Sequence, residues 1–262
     1  MKTKTSVHFV DNSLLRPTNP VTVNLVGAGG TGSQVLSALA RINYSLVALR
    51  HPGISVKVFD GDIITTANLG RQLFAATEIG MNKGVALINR INRFFGTNWK
   101  AVPAVYDENT ALEEKTAAIT ISCVDTVKAR FDISHILGNA EDAGYGSKPV
   151  YWMDFGNLQY TGQVLISTVQ PVPQPASRKF QPVASLPLIT QEFKELLVQA
   201  GKDTTTPSCS LAEALSRQDL FINSSLASLG ASLLWNMFRE GMLFNRGFFL
   251  NVKDFKTQPV KV

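Results

Sequence analysis

Apolar and polar residues alternate along the first half of the chain with two periods, one typical of buried strands and one of amphipathic helices. Apolar runs near residues 21–26, 55–60, 100–105 and 117–123 predict strands, and longer periodic stretches near 33–50, 82–95 and 126–143 predict helices. Helix 82–95 has the clearest amphipathic spacing, and Asn82 is suited to cap its first turn. This order of elements predicts a doubly wound, mostly parallel α/β sheet of the Rossmann-like kind, with the ligand at the carboxyl ends of the strands.

The pattern changes after about residue 149. Segments 149–154 and 162–169 are rich in β-forming residues and are joined by a short turn, which predicts an antiparallel extension of the same sheet. C-terminal helices are predicted near 190–200 and 211–240. Within the second of these helices, an apolar stripe is formed by Leu226, Leu229, Leu233 and Met237. A stripe of this kind favours packing in the core or on a dimer surface.

Residues 170–187 interrupt both periods. This segment contains five prolines and shows neither helical nor strand spacing. Such a composition is typical of a solvated linker, and it is also typical of a mobile crossover loop that covers the extended tail of a partner. The sequence leaves both interpretations open.

A glycine-rich turn, Gly27-Ala28-Gly29-Gly30-Thr31-Gly32, lies between the first predicted strand and its helix. Gly27, Gly29 and Gly32 allow a tight turn in which the backbone approaches a phosphate at the positive end of the helix. The next strand ends in Asp60, where a carboxylate is placed to bind ribose hydroxyls. These features alone also fit an NAD- or FAD-dependent oxidoreductase, so they do not identify the nucleotide.

The loop after Asp60 is more specific. It reads Asp60-x-Asp62-x-Ile64-x-x-x-Asn68-Leu69-x-Arg71-Gln72, with Ala67 and Gly70 between these residues. This pattern resembles the nucleotide loop of the ThiF/MoeB/ubiquitin-activating-enzyme family, in which a serine and an asparagine or glutamine usually occupy the positions of Ala67 and Gly70. Nothing in the loop calls for hydride chemistry, which disfavours a dehydrogenase.

Three further matches to this family follow in the same order along the chain. They are Gly80-Met81-Asn82-Lys83, the strand that leads to Asp125 with Arg130 after it, and Asp154-Phe155-Gly156-Asn157 followed by Gly162-Gln163-Val164. The resemblance is strongest over residues 20–170. Within the family, the chain looks most like the ThiF-related proteins encoded in plasmid-type cassettes beside ParB-related (PRTRC) genes. The resemblance implies one ThiF-like domain over residues 1–262, with a nucleotide-binding part at 20–150. Residues 151–262 would then supply the β-extension, a Pro-rich crossover loop and a C-terminal helical part.

The resemblance also implies a reaction, the attack of a carboxylate on the α-phosphate of ATP to give an acyl adenylate and pyrophosphate. Arg71 and Lys83 would offset the phosphate charge, although alone they could be read as a surface ion-pair residue and an ordinary helix-start lysine. Asp125 would bind Mg²⁺, its alternative being a helix N-cap. The remaining expected roles are ATP binding by Gly27, Gly29, Gly30, Gly32, Asp60, Asp62, Asn68 and Gln72, and an outer-shell contact by Arg130.

The two cysteines differ in context. Cys123 lies in an apolar strand and reads as an inert core residue. Cys209 lies in a polar loop beside the capping-box pattern of Ser210 and Glu213, where a helix start favours the thiolate. The family places an acyl-accepting cysteine in this region, so Cys209 is a candidate for a thioester or persulfide, with an exposed cysteine of no consequence as the alternative. The resemblance also makes Arg16 a candidate to reach ATP across a dimer.

Composition narrows the class of protein further. The 262 residues include 25 Lys and Arg against 20 Asp and Glu, and the basic residues are scattered, which disfavours nucleic-acid binding. The N-terminal residues lack a signal-peptide pattern, and no apolar run approaches the roughly 18 residues of a membrane span. With two cysteines, these features indicate a cytoplasmic protein, and no cysteine or histidine pair has zinc-ligand spacing, so no zinc is expected.

The leading interpretation is an enzyme that uses ATP and Mg²⁺ to adenylate the C-terminal glycine of a small ubiquitin-like or sulfur-carrier protein. The resemblance implies a homodimer, and Cys209 would take the acyl group afterwards. Two alternatives stay open. One is adenylation of another carboxylate, such as that of a peptide, and the other is a scaffold that binds ATP without turnover.

Overall fold

The fold is built on an eight-stranded sheet in which parallel strands on one side give way to antiparallel strands on the other. The computed structural model describes residues 4–140, 148–200 and 218–262. Its described elements, in chain order, are β1 Thr5–Phe9, α1 Asn12–Leu15, β2 Val21–Val26, α2 Gly30–Ala48, β3 Ile54–Phe59, α3 Lys83–Phe95, β4 Lys100–Val102, α4 Leu112–Lys115, β5 Ile119–Ser122, α5 Val127–Gly138, β6 Tyr151–Asn157, β7 Thr161–Thr168, β8 Phe180–Pro182, α6 Ile189–Glu192, α7 Lys194–Ala200, α8 Ile222–Glu240, β9 Met242–Leu243, β10 Asn245–Asn251 and β11 Lys256–Lys261.

The strand order places the glycine turn at the point where the sheet changes winding direction. The order is β11-β10-β7-β6-β5-β2-β3-β4, and β6, β5, β2, β3 and β4 run parallel. From β2 the chain winds outward to β3 and β4, and it then returns to β5 on the other side of β2. A crevice opens between β2 and β5 at such a switch point, and ligands of open α/β sheets bind there. The predicted mostly parallel sheet is confirmed.

The antiparallel extension is confirmed as well. Strands β6 and β7 pair with Gly156 opposite Gln163 and Asn157 opposite Gly162, and β10 and β11 continue the sheet beyond β7. The sequence analysis predicted helix at the C-terminus and no strands after it. Helix α8 does form, and Leu226 and Met237 of its apolar stripe are buried, whereas Leu229 is 40% exposed. The strands that follow α8 alternate weakly in polarity, which is why the hydrophobic pattern did not reveal them.

The Pro-rich segment 170–187 is tied into the fold. Its strand β8 pairs parallel with β1, which also pairs with β9 in a separate three-stranded sheet. Val172 and Leu186 are each only 2% exposed, so these two residues anchor the segment to the core, whereas most of its other residues are exposed as the linker interpretation expects. The segment starts at the end of the sheet opposite the glycine turn, because Thr168 at the end of β7 lies opposite Tyr151 at the start of β6; its role as a crossover loop over a partner's tail stays a prediction.

Two hydrophobic clusters sandwich the sheet. The larger one packs α2, α3 and α8 against it, and the smaller one packs α5, α6 and α7. Helix α2 begins at Gly30, a few residues before the predicted start, because the chain enters the helix directly from the glycine turn. Among the described residues, no helix is long and apolar enough to cross a membrane.

Candidate active site

The glycine turn is tight on its inner side and open on its outer side. A side chain at Gly27, whose φ is +94°, would place its Cβ 2.6 Å from the Cys123 carbonyl oxygen, and one at Gly32 would lie 1.9 Å from the carbonyl oxygen of Gly27. In contrast, a Cβ at Gly29 would meet no atom within 4 Å, and Gly29 is the N-cap of α2. The first backbone N–H groups of α2 are therefore accessible to an anion from the open side.

Asp60 lies directly beside this turn. Its Oδ2 accepts a hydrogen bond from the Ala28 N–H at 2.6 Å, and its Oδ1 accepts one from the Asp62 N–H at 2.8 Å. Burial raises the pKa of Asp60, and the two backbone hydrogen bonds and the nearby Lys83 ammonium oppose that shift. The structure thus holds the carboxylate against the glycine turn, where the sequence analysis placed a ribose ligand.

Lys83 and Asp62 form an ion pair at one side of the turn. The ammonium lies 2.8 Å from Asp62 Oδ2, and the lysine side chain is 9% exposed whereas that of Asp62 is 73% exposed. Asn82 caps α3 and donates to the carbonyl oxygens of Asp60 and Asp62, which fixes the start of α3 against this loop. The sequence analysis assigned Lys83 and Asp62 separately, and the structure makes them partners.

Asn68 and Gln72 shape the loop in between. Asn68 is buried, and its Oδ1 accepts from both the N–H and the hydroxyl of Thr65 at 2.9 and 3.1 Å, closing a 3-10 turn at residues 66–68. Gln72 is 7% exposed, and its side-chain oxygen is buried without a hydrogen-bond partner among the described residues. A buried, unpaired oxygen of this kind costs about 1–3 kcal/mol, so a donor that satisfies it is favoured.

Arg71 lies close enough to Asp125 to feel its charge, and its guanidinium has incomplete hydrogen bonding. Its Nε is buried without a partner among the described residues, and a guanidinium N–H donates to Gln218 Oε1 over a long 3.3 Å. Burial lowers the pKa of Arg71, and the negative charge of Asp125 opposes the shift. A phosphate oxygen would supply the acceptor that this guanidinium lacks.

Asp125 is exposed at the end of β5 and forms no hydrogen bond with any residue that the structure describes. The N-cap of α5 is Thr126, whose side chain accepts from the Ala129 N–H at 3.2 Å, so the alternative role of Asp125 as an N-cap is wrong. The carboxylate is therefore available to a cation beside Arg71.

Arg130 has a clear positioning role behind Asp125. Its guanidinium pairs with Asp154 at 3.1 Å, with both side chains buried, and donates to the carbonyl oxygens of Val124 and Phe155 at 2.7 and 3.0 Å. Ser122 donates to the same carboxylate at 2.6 Å. This network joins the carboxyl ends of β5 and β6 and fixes the backbone next to Asp125.

Asn223 connects the start of α8 to the glycine turn, and sequence reasoning missed it. It is 3% exposed; its Oδ1 accepts from the Thr31 hydroxyl at 2.8 Å and from Asn157 Nδ2 at 3.1 Å, and its Nδ2 donates to Gln218 Oε1 at 3.0 Å. Gln218 is also the residue that Arg71 contacts. The one signal in the sequence is an amide residue between the apolar Ile222 and Leu226 on a helix.

Two further sequence-predicted residues add no polar side-chain contact to this constellation: Cys123, whose carbonyl oxygen lies against Gly27, and Arg16. Burial raises the pKa of the Cys123 thiol well above its ordinary value, with the negative charge of Asp154 adding to the shift, which agrees with an inert cysteine. Arg16 follows α1, at the opposite end of β2 from the glycine turn. Cys209, Ser210 and Glu213 lie outside the described residues. Among the described residues, no group of three or more His, Cys, Asp or Glu side chains is arranged to hold a metal ion.

Comparisons with known proteins agree with this architecture. In E. coli MccB, solved with MccA, the match covers 96% of this chain and 65% of that one, with 15% identity and a TM-score of 0.60. Crystalline PaaA matches 92% of this chain and 64% of its own length, with 16% identity and a TM-score of 0.60. At these identities the likeness concerns the fold, and the chain spans less than two thirds of either structure.

Two comparisons of sequence add to the structural ones. Over 71 residues the chain is 34% identical to the ATP-dependent ubiquitin transferase-like protein Cap2 of Enterobacter hormaechei subsp. hoffmannii (strain UCI 50). These residues are 27% of this chain and 10% of Cap2. The model of the ThiF family matches residues 4–258, almost the whole sequence. The chain therefore belongs to the ThiF family.

Proposed function

We propose that this protein adenylates a carboxylate with ATP. The observation that carries the proposal is the guanidinium of Arg71, which is partly buried and has an unpaired Nε, beside the exposed carboxylate of Asp125. Both lie at the switch point that the glycine turn opens. Family membership supports the proposal, as does the fold shared with MccB, which has been solved with ATP.

The reaction requires that two anions meet. A carboxylate oxygen attacks the α-phosphorus, the bond from that phosphorus to the oxygen bridging to the β-phosphate breaks, and an acyl adenylate and pyrophosphate result. Arg71 and Lys83 offset the charge of the phosphates, and the α2 N-terminus at Gly29 adds backbone N–H donors. Asp60 binds the ribose hydroxyls, which places the α-phosphate relative to Arg71. No proton has to move in the step, because the carboxylate attacks as the anion.

Asp125 fits the role of a Mg²⁺ ligand. Mg²⁺ is commonly bound through one or two protein carboxylates together with substrate phosphates, and a single exposed carboxylate beside a phosphate-binding arginine offers that arrangement. When bound, the ion would offset negative charge on the α-phosphate and on the leaving pyrophosphate. Arg130 and Asp154 hold the strand ends that position Asp125.

The carboxylate that we favour is the C-terminal glycine of a small ubiquitin-like or sulfur-carrier protein, bound to a homodimeric enzyme. The similarity to Cap2, described as ubiquitin transferase-like, supports this substrate class. MccB has been solved with MccA, which supports a peptide as the alternative substrate. Cys209 would receive the acyl group from the adenylate as a thioester, with AMP as the leaving group.

Exchange of labelled pyrophosphate into ATP tests the proposal. With a glycine-ended partner, wild-type protein is expected to catalyse exchange, and Asp125→Ala is expected to abolish it. Asp132→Ala is the matched control, because Asp132 is a carboxylate on the adjoining helix that pairs with Lys128 and not with Arg71. A protein that is stabilised by ATP and Mg²⁺ yet shows no exchange with any glycine-ended partner or peptide would be a nucleotide-binding scaffold instead.

A further inference from the structure

A basic cavity lies at the opposite end of β2 from the glycine turn. Its volume is about 350 Å³, within the range of small-molecule sites, and it is lined by Arg16, Arg50 and Arg239 with apolar walls from residues such as Leu46 and Phe238. The three arginines come from different parts of the chain, since Arg16 follows α1, Arg50 follows α2 and Arg239 belongs to the last turn of α8. The proposed adenylation gives no role to Arg50 or Arg239, and of the three arginines the family resemblance made Arg16 alone a candidate to reach ATP across a dimer.

The charge of the cavity is unbalanced. No Asp or Glu is among its lining residues, and none of its three arginine side chains forms a hydrogen bond or an ion pair with any residue that the structure describes. Arg239 packs over the ring of Trp235, with 5.8 Å between the guanidinium carbon and the ring centroid. All three arginines are exposed, so water and salt screen their mutual repulsion, and an anion between them would be attracted by three positive charges at once.

His51 lines the cavity, but its ring nitrogens are directed at backbone groups of the protein. Its Nδ1 accepts from the Gly53 N–H at 3.0 Å, so the proton is on Nε2, which donates to the Leu14 carbonyl oxygen at 2.8 Å. Both ring nitrogens thus have hydrogen-bond partners within the protein. A ligand in the cavity would therefore be held by the arginines alone.

Arg50 has an unfavourable backbone conformation that a side-chain function would explain. Helix α2 ends in a Schellman motif, in which the His51 N–H bonds the Leu46 carbonyl oxygen and the Arg50 N–H bonds that of Val47. The residue between helix and loop in this motif is usually glycine, because φ is positive there, and Arg50 has a φ of 65°. The chain thus carries an arginine where glycine would be less strained, and that arginine faces the cavity.

Helix dipoles account for part of this arrangement. The C-terminal ends of α2 and α8 favour nearby cations, which suits Arg50 and Arg239. The dipole effect does not explain Arg16, because the helix before it has only four residues. It also does not explain why Arg50 itself has a positive φ, since a glycine there would be less strained. A shared anionic ligand explains all three positions together.

We propose that this cavity binds a small molecule that carries a diphosphate group, at a site separate from the adenylation site. The oxygens of two linked phosphates point in several directions. Each of the three planar guanidinium groups can therefore donate two parallel hydrogen bonds to them. The apolar walls leave room for an organic group attached to the diphosphate.

Isothermal titration with inorganic pyrophosphate tests this proposal. The parent protein carries Arg71→Ala, and the buffer contains EDTA, so that the adenylation site contributes little. We expect saturable binding at one site per chain, weakened at least tenfold by Arg50→Gly and by Arg16→Gln. Arg93→Gln is the control, because Arg93 is an arginine of another surface cavity and does not line this one. ADP in place of pyrophosphate shows whether the diphosphate is free or part of a nucleotide, since tighter binding of ADP would assign the nucleotide.

Arg50→Gly also separates loss of a ligand group from loss of the fold. Glycine suits the positive φ, so this variant is expected to have a Tm at or above that of its parent in the absence of pyrophosphate. The proposal is overturned if the Arg71→Ala parent shows no saturable binding, or if Arg50→Gly and Arg16→Gln bind as tightly as the parent. Neither result would bear on pyrophosphate exchange, so this proposal and the adenylation proposal fail independently.

Discussion

Replacing Asn223 by alanine tests whether the start of α8 completes the candidate active site. The asparagine is 3% exposed and makes three side-chain hydrogen bonds, with Thr31, Asn157 and Gln218. Alanine removes all three and leaves the buried Thr31 hydroxyl without its acceptor. We therefore expect a loss of stability and a weaker response to ATP, because Gln218 also contacts Arg71.

The size of the effect follows from these contacts. A net contribution of about 1 kcal/mol for each hydrogen bond gives a loss of roughly 3 kcal/mol in the free energy of unfolding. For a chain of this size, about 1 kcal/mol changes Tm by roughly 2–4 °C, so the expected decrease is roughly 6–12 °C. Urea denaturation gives the free energy and a thermal melt gives Tm, each measured with and without ATP and Mg²⁺.

Asn109→Ala is the matched control, because Asn109 is exposed and its side chain forms no hydrogen bond with a described residue. It is expected to change stability by less than about 0.5 kcal/mol. If Asn223→Ala is as stable as this control, the network around Asn223 does not hold α8 against the glycine turn. If Asn223→Ala is destabilised but gains as much stability from ATP as the wild type, the link to Arg71 is refuted.

Three other predictions concern catalysis and pH. Arg71→Ala is expected to lower kcat/KM of exchange by about 100-fold or more, and Arg71→Lys to recover only part of it because an ammonium lacks the planar fork; full activity of the lysine variant would contradict this. Cys209→Ala is expected to keep pyrophosphate exchange but to lose any partner adduct that a thiol reductant releases. Cys123→Ala is expected to keep the exchange and the adduct and to lose some stability. An adduct that a thiol reductant releases from Cys209→Ala would refute the thioester. Burial lowers the pKa of His8, so the folded protein binds fewer protons there than the unfolded chain, and stability is expected to fall as pH decreases below about 6.5. Unfolding by urea at several pH values should show a flatter profile for His8→Gln, and an equally steep profile would show that other groups cause the loss.

Much of the nucleotide-binding half could be predicted from the sequence because its determinants are local. A glycine turn between a strand and a helix needs positive φ at Gly27 and no side chain at Gly32, and both requirements act within a few residues. Asp60 follows the next strand, and parallel neighbouring strands bring their carboxyl ends to one edge of the sheet. Periodicity therefore placed Asp60 and Asp125 at the correct edge before any contact was known.

The tertiary structure alone decided which distant residues complete each site. Asn223 reaches the glycine turn because α8 packs along α2, and Gln218 just before α8 reaches Arg71; these contacts join segments far apart in the chain, and no local pattern encodes them. The same packing brings Arg239 to Arg16 and Arg50, three scattered arginines that composition alone could not group. Strand β8 could not be read from periodicity because its pairing with β1 depends on a partner about 175 residues away, as the contact between His8 and Val183 shows. Neighbouring residues determine the local backbone conformation, so it can be predicted from the sequence. Contacts between side chains distant in the chain form only when the packed core brings their helices and strands together.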